Sequence, residues 1–196
     1  MVLEINLENA CIDYEKSEKR GTFYDMAKNL IEKGFEVEAF FLILATWNFA
    51  TFRYAVKEFD INGFINLIKN ECDPIFNKLK NKNIENVNLD EIEDDIKELY
   101  IKLSSIKGVK YTGASKLMHL KNRHLFIMWD GFIRKQYGFN KGTPDDYFNF
   151  LKKMQEMTKN VKWINDNKTL AKAIDEYNYM TITFPELEKK PKKVIL

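Results

Sequence analysis

The chain has 196 residues, of which 45% are hydrophobic and 14% aromatic, and 31 basic against 29 acidic side chains leave a formal charge of +2. This composition excludes a largely disordered chain, and two cysteines (Cys11 and Cys72) exclude a disulfide scaffold, a four-thiolate cluster and a structural zinc site. No apolar run approaches the roughly 20 residues that cross a bilayer, and the N-terminus lacks a secretory-signal pattern. We therefore expect one cytoplasmic domain with no membrane partner and no cofactor.

The first third of the chain has mainly helical periodicity. Residues 2–7 are expected to form a short strand or an extended arm. Thr22 precedes an apolar stripe that ends at Gly34, a pattern typical of a capped helix. The run over residues 39–50 is apolar nearly all round, which favours a buried central helix over the competing interpretation as a strand.

The middle of the chain contains several residue patterns that are typical of helix starts. Asp60 is expected to open a short helix, and Asp73 followed by proline is expected to cap another. Residues 78–88 are polar and rich in asparagine, so we expect a loop. Asn88 with Glu91 resembles a capping pair and begins the next helix.

The second half of the chain continues this helical pattern. Gly108 separates two helices, and Thr143 followed by proline and two aspartates is a strong helix start. A last helix is expected over residues 170–177, and the charged tail over residues 188–196 is expected to be frayed. The sequence therefore predicts a single all-α domain over residues 1–196.

The near-neutral total charge hides two opposed blocks. Residues 99–129 contain six basic side chains and no acidic one, whereas residues 85–98 contain seven acids. A basic segment across a helix–turn–helix is the electrostatic pattern expected for phosphate binding. The competing interpretation is that these lysines form an ordinary solvated face.

Residues 103–117 follow the pattern helix, tight turn, helix, with the turn centred on residues 106–110. Such a turn directs backbone amides outward at the start of a helix, where they bind phosphate readily. An apolar passage over residues 125–129 follows, and then Asp130, an aliphatic residue at 133 and the basic pair at 134 and 135.

These residues resemble the helix-hairpin-helix DNA glycosylase superfamily, the group of endonuclease III, adenine glycosylase and 3-methyladenine glycosylase. Thr112 stands where bifunctional members carry the lyase lysine, 18 residues before Asp130, which is the family spacing. The resemblance is strongest over residues 96–138, with the hairpin at about 89–121 and the aspartate motif at 125–138. It extends more weakly over residues 36–158. It implies a two-lobed helical bundle, a double-stranded DNA partner and base-excision repair.

The family resemblance also implies roles for individual residues. Asp130 is the expected catalytic carboxylate, stabilising positive charge on the deoxyribose as the base leaves, and it is equally suited to capping the next helix. The expected DNA contacts are Lys107, Gly108, Val109, Lys110, Thr112 and Lys116. The candidates to receive an extruded base are Trp47, Tyr111 and Trp129, each of which also suits a core position.

Several positions depart from the family pattern. Lys110 replaces the second glycine of the turn, where a positive φ is unfavourable, so the hairpin is either distorted or exchanges backbone fit for a charge on the phosphate. Thr112 cannot form a Schiff base, so we expect no lyase activity from that position. His119 and His124 lack a third ligand and make a poor metal site. Arg134 and Lys135 suit either phosphate contact or pairing with the acidic helix.

Three functions fit this pattern. The first is a monofunctional DNA N-glycosylase acting on a damaged or mismatched base. The second is a DNA-binding module with a glycosylase fold and no catalysis, and the third is a helical bundle that binds another protein. The pattern indicates neither the base that is removed nor the oligomeric state.

Overall fold

The computed structural model describes residues 6–165 and 167–189, and every regular element within these two ranges is helical. The α-helices are α1 (Leu7–Ser17), α2 (Gly21–Glu32), α3 (Glu36–Trp47), α4 (Phe49–Phe52), α5 (Ile61–Leu67), α6 (Asp73–Leu79), α7 (Glu93–Ser104), α8 (Lys110–Lys121), α9 (Gly131–Gln136), α10 (Pro144–Thr158), α11 (Leu170–Asn178) and α12 (Phe184–Glu188). Short 3₁₀ turns lie at Val56–Glu58 and Leu89–Ile92, and π-helical turns lie at Ile68–Cys72 and Tyr179–Thr183. The predicted all-α class is therefore confirmed for the described part of the chain.

Two predicted helix starts are confirmed by their capping hydrogen bonds. The Asp60 carboxylate accepts from the amide of Gly63 at 2.9 Å and begins α5. Thr143 and Asp146 form a complete capping box before α10, with Pro144 in the first turn. These side chains satisfy amides that have no acceptor inside their own helix.

Other predicted boundaries were wrong for identifiable reasons. The helix expected over residues 39–50 breaks at Asn48, whose backbone leaves helical geometry at φ −124° and ψ 18°. Asp73 is the first residue of α6 but does not cap it, because α5, the π turn and α6 follow one another, and its carboxylate pairs with Lys121. Thr22 lies inside α2 and its hydroxyl donates to the carbonyl of Lys19, so it does not cap that helix.

The two ends of the chain also differ from expectation. Of residues 2–7, positions 2–5 lie outside the described residues, and Leu7 begins α1, a helix that we did not predict. The last helix continues beyond residue 177 through a π turn into α12, which ends at Glu188. Of the tail over residues 188–196, positions 190–196 lie outside the described residues.

Helix α8 lies at the centre of the core. Every residue from 113 to 120 is buried, including Ser115, Lys116 and His119. Helices α2, α3 and α7 all pack against it, α10 packs against α7, and α1 packs against α11. A helix buried on all sides fixes its side chains rigidly. Within the described ranges, no helix combines the length and apolar character needed to cross a bilayer.

Candidate functional site

The turn between α7 and α8 is tight and strained. Gly108 has a φ of 90° and Lys110 a φ of 50°. A side chain in this left-handed region costs about 1–2 kcal/mol, so the predicted strain at Lys110 is confirmed. The amide of Val109 donates to the carbonyl of Ile106 at 3.0 Å and closes the turn.

Asn48, which lies between α3 and α4, anchors this turn by hydrogen bonds. Its side-chain amide donates to the carbonyls of both Gly108 and Val109 at 3.0 Å. A Cβ at Gly108 would lie 2.6 Å from the Cβ of Ala55, so only glycine fits there. Local sequence patterns do not reveal this role of Asn48, because the contact joins positions about 60 residues apart.

The expected DNA contacts divide into accessible and buried groups. Lys107 and Lys110 are exposed and Thr112 is half-buried, whereas Gly108 is buried. The side chain of Val109 is fully buried and its amide is already bonded, so a direct contact of Val109 with DNA is contradicted. Helix α8 begins without a side-chain cap, so the first-turn amides have no acceptor within that helix.

Acidic groups from other parts of the chain neutralise most of the basic block. Lys107 pairs with Glu58 and Arg123 with Glu32. Lys102 and Lys121 each pair with two acids, which are Glu71 and Glu98 for Lys102 and Glu36 and Asp73 for Lys121. The segment contains no acid of its own, but most of its basic side chains are paired with acids outside residues 99–129. Among the six basic residues in this part of the described chain, Lys110 is the exposed one without an ion pair.

Asp130 is held in place by both of its carboxylate oxygens. Its Oδ1 accepts from the amides of Phe132 at 2.8 Å and Ile133 at 3.0 Å, which caps α9. Its Oδ2 accepts from the Thr183 hydroxyl at 2.7 Å. The predicted cap is confirmed, and the carboxylate remains half-buried.

The passage before Asp130 ties it rigidly to α8. Residues 125–129 are all buried, with exposures of 2% or less. The amide of Trp129 donates to the Ser115 hydroxyl at 3.3 Å, and its indole N–H donates to the carbonyl of Tyr111 at 3.3 Å. The carboxylate therefore sits at a fixed position relative to the helix that follows the turn.

Asp130 lines a cavity of about 670 Å³. Thr112 and Lys116, one turn apart on α8, lie on the same wall, and Trp47 and Phe49 approach from α3 and α4. The volume is within the range of small-molecule sites. The cavity thus joins the predicted catalytic carboxylate, a lysine and an aromatic ring.

The three aromatic candidates for base binding lie in different places. Trp47 is half-buried and lines the cavity. Trp129 lines the cavity as a residue but is 1% exposed, and its ring packs on Tyr147 and Phe150 in the core, so its assignment to base binding is wrong. Tyr111 is 42% exposed and lies outside the residues that line this cavity.

Arg134 stacks on aromatic rings, and its expected phosphate contact stays a prediction. Its guanidinium lies over the rings of Tyr111 at 5.4 Å and Trp129 at 5.6 Å. A planar cation stacks well on aromatic faces. Within the described residues it makes no ion pair with α7, and its neighbour Lys135 lines the cavity.

Lys116 is a buried lysine at the cavity wall. It is 8% exposed, so the expected contact with surface phosphate is contradicted. Its ammonium donates to the carbonyl of Trp47, the last residue of α3. Burial lowers the pKa of Lys116 to about 8, against the attraction of Asp130 and Asp175. This amine is therefore far more easily deprotonated than an exposed lysine.

A second buried lysine packs against residues that line the cavity. The Lys172 ammonium lies 4.7–4.9 Å from the ring centres of Tyr14, Tyr24 and Trp47, and it pairs with Asp175 at 2.6 Å. Burial opposes its charge, but the combined attraction of Asp175, Tyr14, Glu176 and Tyr24 outweighs burial and raises the pKa of Lys172. The Lys172 ammonium therefore contacts both Asp175 and Trp47, which line the cavity. Neither contact was predicted from the sequence.

Tyr14 and Glu18 also line the cavity, and their side chains differ in hydrogen bonding. The Tyr14 hydroxyl is buried without a hydrogen-bond partner among the described residues, and Tyr14 lines the cavity. Burial alone would raise the pKa of Glu18, but hydrogen bonds from Arg20 and Tyr179 lower it to about 2. Glu18 is therefore a permanent anion, whereas the Tyr14 hydroxyl is a buried group whose hydrogen-bonding capacity is unused.

The two histidines lie in different environments, one in the core and one at the surface. His119 is fully buried, with one ring nitrogen 2.6 Å from the carbonyl of Phe126 and the other accepting from the Tyr24 hydroxyl at 2.8 Å. Burial lowers the pKa of His119 to about 3, so the ring is neutral. His124 is exposed. Within the described ranges, no cluster of three metal-ligating side chains occurs.

Comparison with known proteins gives one partial similarity. No protein-family model and no solved structure matches the chain. Among curated proteins, it is 33% identical over 116 residues to the CRISPR-associated endoribonuclease Cas13a of Leptotrichia shahii. This match covers 59% of the chain but 8% of that relative's length. The chain therefore corresponds to a small part of the relative, and the similarity assigns it no family.

Proposed function

We propose that this protein is a DNA N-glycosylase, a hydrolase that removes a damaged or mismatched base from double-stranded DNA. The observation that carries this proposal is the position of Asp130. Its carboxylate lines a cavity of about 670 Å³ beside the helix that follows the turn. The fold we propose is the two-lobed helical bundle of helix-hairpin-helix glycosylases.

DNA binding would use the start of α8. The first-turn amides and the exposed Lys110 suit one phosphate group of a DNA strand. Exposed aromatic side chains lie nearby, because the turn packs on α4 through Phe52. Phe49 is 55% exposed and Tyr54 73% exposed, with the Arg53 guanidinium 4.5 Å from the centre of the Tyr54 ring. Such rings suit stacking against unpaired bases.

The cavity would receive the extruded nucleotide. The ring of Trp47 offers a face for stacking. Asp130 would lie beneath the sugar, where a carboxylate stabilises the positive charge that develops as the glycosidic bond breaks. Water then completes the hydrolysis.

A panel of duplex oligonucleotides, each with one altered or mismatched base, tests this proposal. Abasic-site formation by the wild-type protein is expected for at least one duplex and is expected to disappear in Asp130→Asn. The matched control is Asp60→Asn, because Asp60 also caps a helix but lies outside the cavity. Absence of base release across the panel would overturn the assignment.

A second candidate function is DNA binding without catalysis. It is favoured by the hydrogen bonding of Asp130, since both carboxylate oxygens already have partners inside the protein. This candidate predicts salt-dependent binding to duplex DNA that weakens in Lys107→Ala and Lys110→Ala and is unaffected by Asp130→Asn.

A further inference from the structure

Among the described residues, the three carboxylates that line the cavity of about 670 Å³ already have partners. Glu18 accepts from Nε of Arg20 at 2.8 Å, and Asp175 accepts from Lys172 at 2.6 Å, so each of these two acids has a cation of its own. Asp130 accepts from two amides and one hydroxyl. The acids therefore have little capacity left to balance the charge of a positively charged ligand.

Lys116 brings a positive charge to the same cavity without an acidic partner. Within the described residues it forms no ion pair, and its ammonium donates to the carbonyl of Trp47. An ammonium has three N–H donors, so donors remain for a ligand. Its pKa of about 8 leaves the charged form in about a hundredfold excess at pH 6.

Trp47 presents a ring whose negative potential is already used by two cations. Its indole N–H donates to the carbonyl of Arg20 at 3.2 Å, so the ring can offer a ligand only stacking. The ammonium groups of Lys172 and Lys116 lie 4.9 and 6.0 Å from the ring centre. Because cations are held by the negative face of an aromatic ring, a third cation stacked there would meet repulsion, whereas a neutral ring would not.

From this arrangement we infer that the cavity selects a neutral base with an exocyclic oxygen, and that Lys116 donates a hydrogen bond to that oxygen. This inference rests on the proposed function, because it names the class of base that a glycosylase with this cavity would release. Deamination gives such bases in hypoxanthine and uracil, and oxidation gives one in 8-oxoguanine. Alkylation of a purine ring nitrogen gives a cation instead.

The selection follows from the cost of leaving a buried ammonium without an acceptor. A hydrogen bond from an ammonium to a carbonyl oxygen is charge-assisted, and a base that offers an amino group at the same place leaves the ammonium unpaired. Unaltered guanine and thymine also carry the oxygen, but pairing in the duplex keeps them out of the cavity.

Nucleoside binding to the full chain tests the selection without depending on base release. Two matched pairs are titrated at pH 6 and followed by NMR. Inosine and adenosine differ in an oxygen against an amino group, and 7-methylguanosine differs from guanosine in a methyl group and a positive charge. We expect inosine to bind more tightly than adenosine, and guanosine more tightly than 7-methylguanosine, each by roughly tenfold or more. No binding of inosine, or equal affinity within either pair, would overturn the inference.

The variant Lys116→Met separates a direct contact from a structural role. It should weaken inosine binding by roughly tenfold or more and strengthen 7-methylguanosine binding, because the repelling charge is gone. Weaker binding of both nucleosides would show that the lysine only maintains the shape of the cavity, and would overturn the inference. Lys80→Met, which alters an exposed lysine outside the cavity, should change neither affinity.

Duplexes that carry hypoxanthine, uracil, 8-oxoguanine or 7-methylguanine relate this selection to base release. We expect release from at least one of the first three, and their comparison shows whether deamination or oxidation supplies the substrate. Release of 7-methylguanine as fast as that of the neutral bases would overturn the inference and leave the proposed function standing. Selection of inosine without base release from any duplex would support the inferred selectivity and contradict the proposed function.

Discussion

The hydroxyl of Thr183 donates a hydrogen bond to Oδ2 of Asp130 at 2.7 Å, across 53 positions of the chain. Oδ1 faces the amides that begin α9, so two separate elements fix the plane of the carboxylate. The π-helical turn at Tyr179–Thr183 brings the hydroxyl to this point. The C-terminal helices therefore take part in building the site.

Replacing Thr183 by valine removes this hydrogen bond while keeping the side-chain shape. One neutral donor to a carboxylate contributes about 1.5–3 kcal/mol, so we expect base release to slow by tenfold or more with little change in the Kd for DNA. Single-turnover kinetics and a binding titration measure the two effects. Thr158→Val is the control, because Thr158 bonds within its own helix. An unchanged rate would show that Thr183 does not position the carboxylate.

Replacing Asn48 by alanine should loosen the turn. The carbonyls of Gly108 and Val109 would each lose a donor in a buried place, and such a loss costs about 1–3 kcal/mol. Urea unfolding should report this destabilisation, and duplex binding should weaken because the turn is less well ordered. Asn66→Ala, at an exposed position on α5, should change neither quantity. Full DNA affinity in a folded Asn48→Ala variant would contradict this role.

The side chain of Lys110 is expected to lower the stability of the folded protein and to strengthen DNA binding. Lys110→Gly relieves the side-chain strain at a φ of 50° and should raise the free energy of unfolding by about 1 kcal/mol. Lys110→Ala keeps the strain and should leave stability nearly unchanged. Both variants lose one cation and should bind DNA more weakly, with a smaller salt dependence. Equal stability of the two variants would show that the backbone strain is relaxed in solution.

Stability should rise with pH through the titration of Lys116. The groups that face this amine are Asp130, Asp175, Arg20 and Lys172, and burial dominates them. Its pKa is about 8 in the folded protein and 10.5 as the reference value. Below pH 8 both states hold the proton and the unfavourable burial of charge is fully present. Between these values the unfolded chain holds more protons, so the folded state gains roughly 3 kcal/mol as the pH rises.

Unfolding free energies at pH 7 and pH 10 check this effect. The stability of Lys116→Met relative to the wild type should be higher at pH 7 than at pH 10. The control Lys80→Met, at an exposed lysine, should show no such pH-dependent difference. A difference independent of pH would mean that Lys116 keeps an ordinary pKa.

Local signals in the sequence predicted the parts of the fold that local chemistry determines. The capping box at Thr143 and Asp146 and the turn around Gly108 depend on neighbouring residues, and both are present. The carboxylate of Asp130 was also predicted as a cap, because its target amides lie two and three residues away.

The remaining features depend on contacts between distant positions. Acids as far away as Glu32 and Glu58 neutralise the basic block, so counting charge along a segment overestimated the exposed positive charge. The sequence predicts Lys116 as a DNA contact because it belongs to the basic segment at the turn. Its burial follows from the packing of α8 on three helices, which the sequence pattern does not indicate.

Base release by wild type and Asp130→Asn on the same lesion-bearing duplex tests the central claim most directly. Asparagine retains an oxygen for the cap of α9, so the variant should fold and bind DNA nearly as the wild type does. We predict abasic-site formation by the wild type and its loss in the variant, with thermal unfolding and duplex affinity measured alongside. Equal base release by the two proteins would contradict the assignment of Asp130 as the catalytic carboxylate.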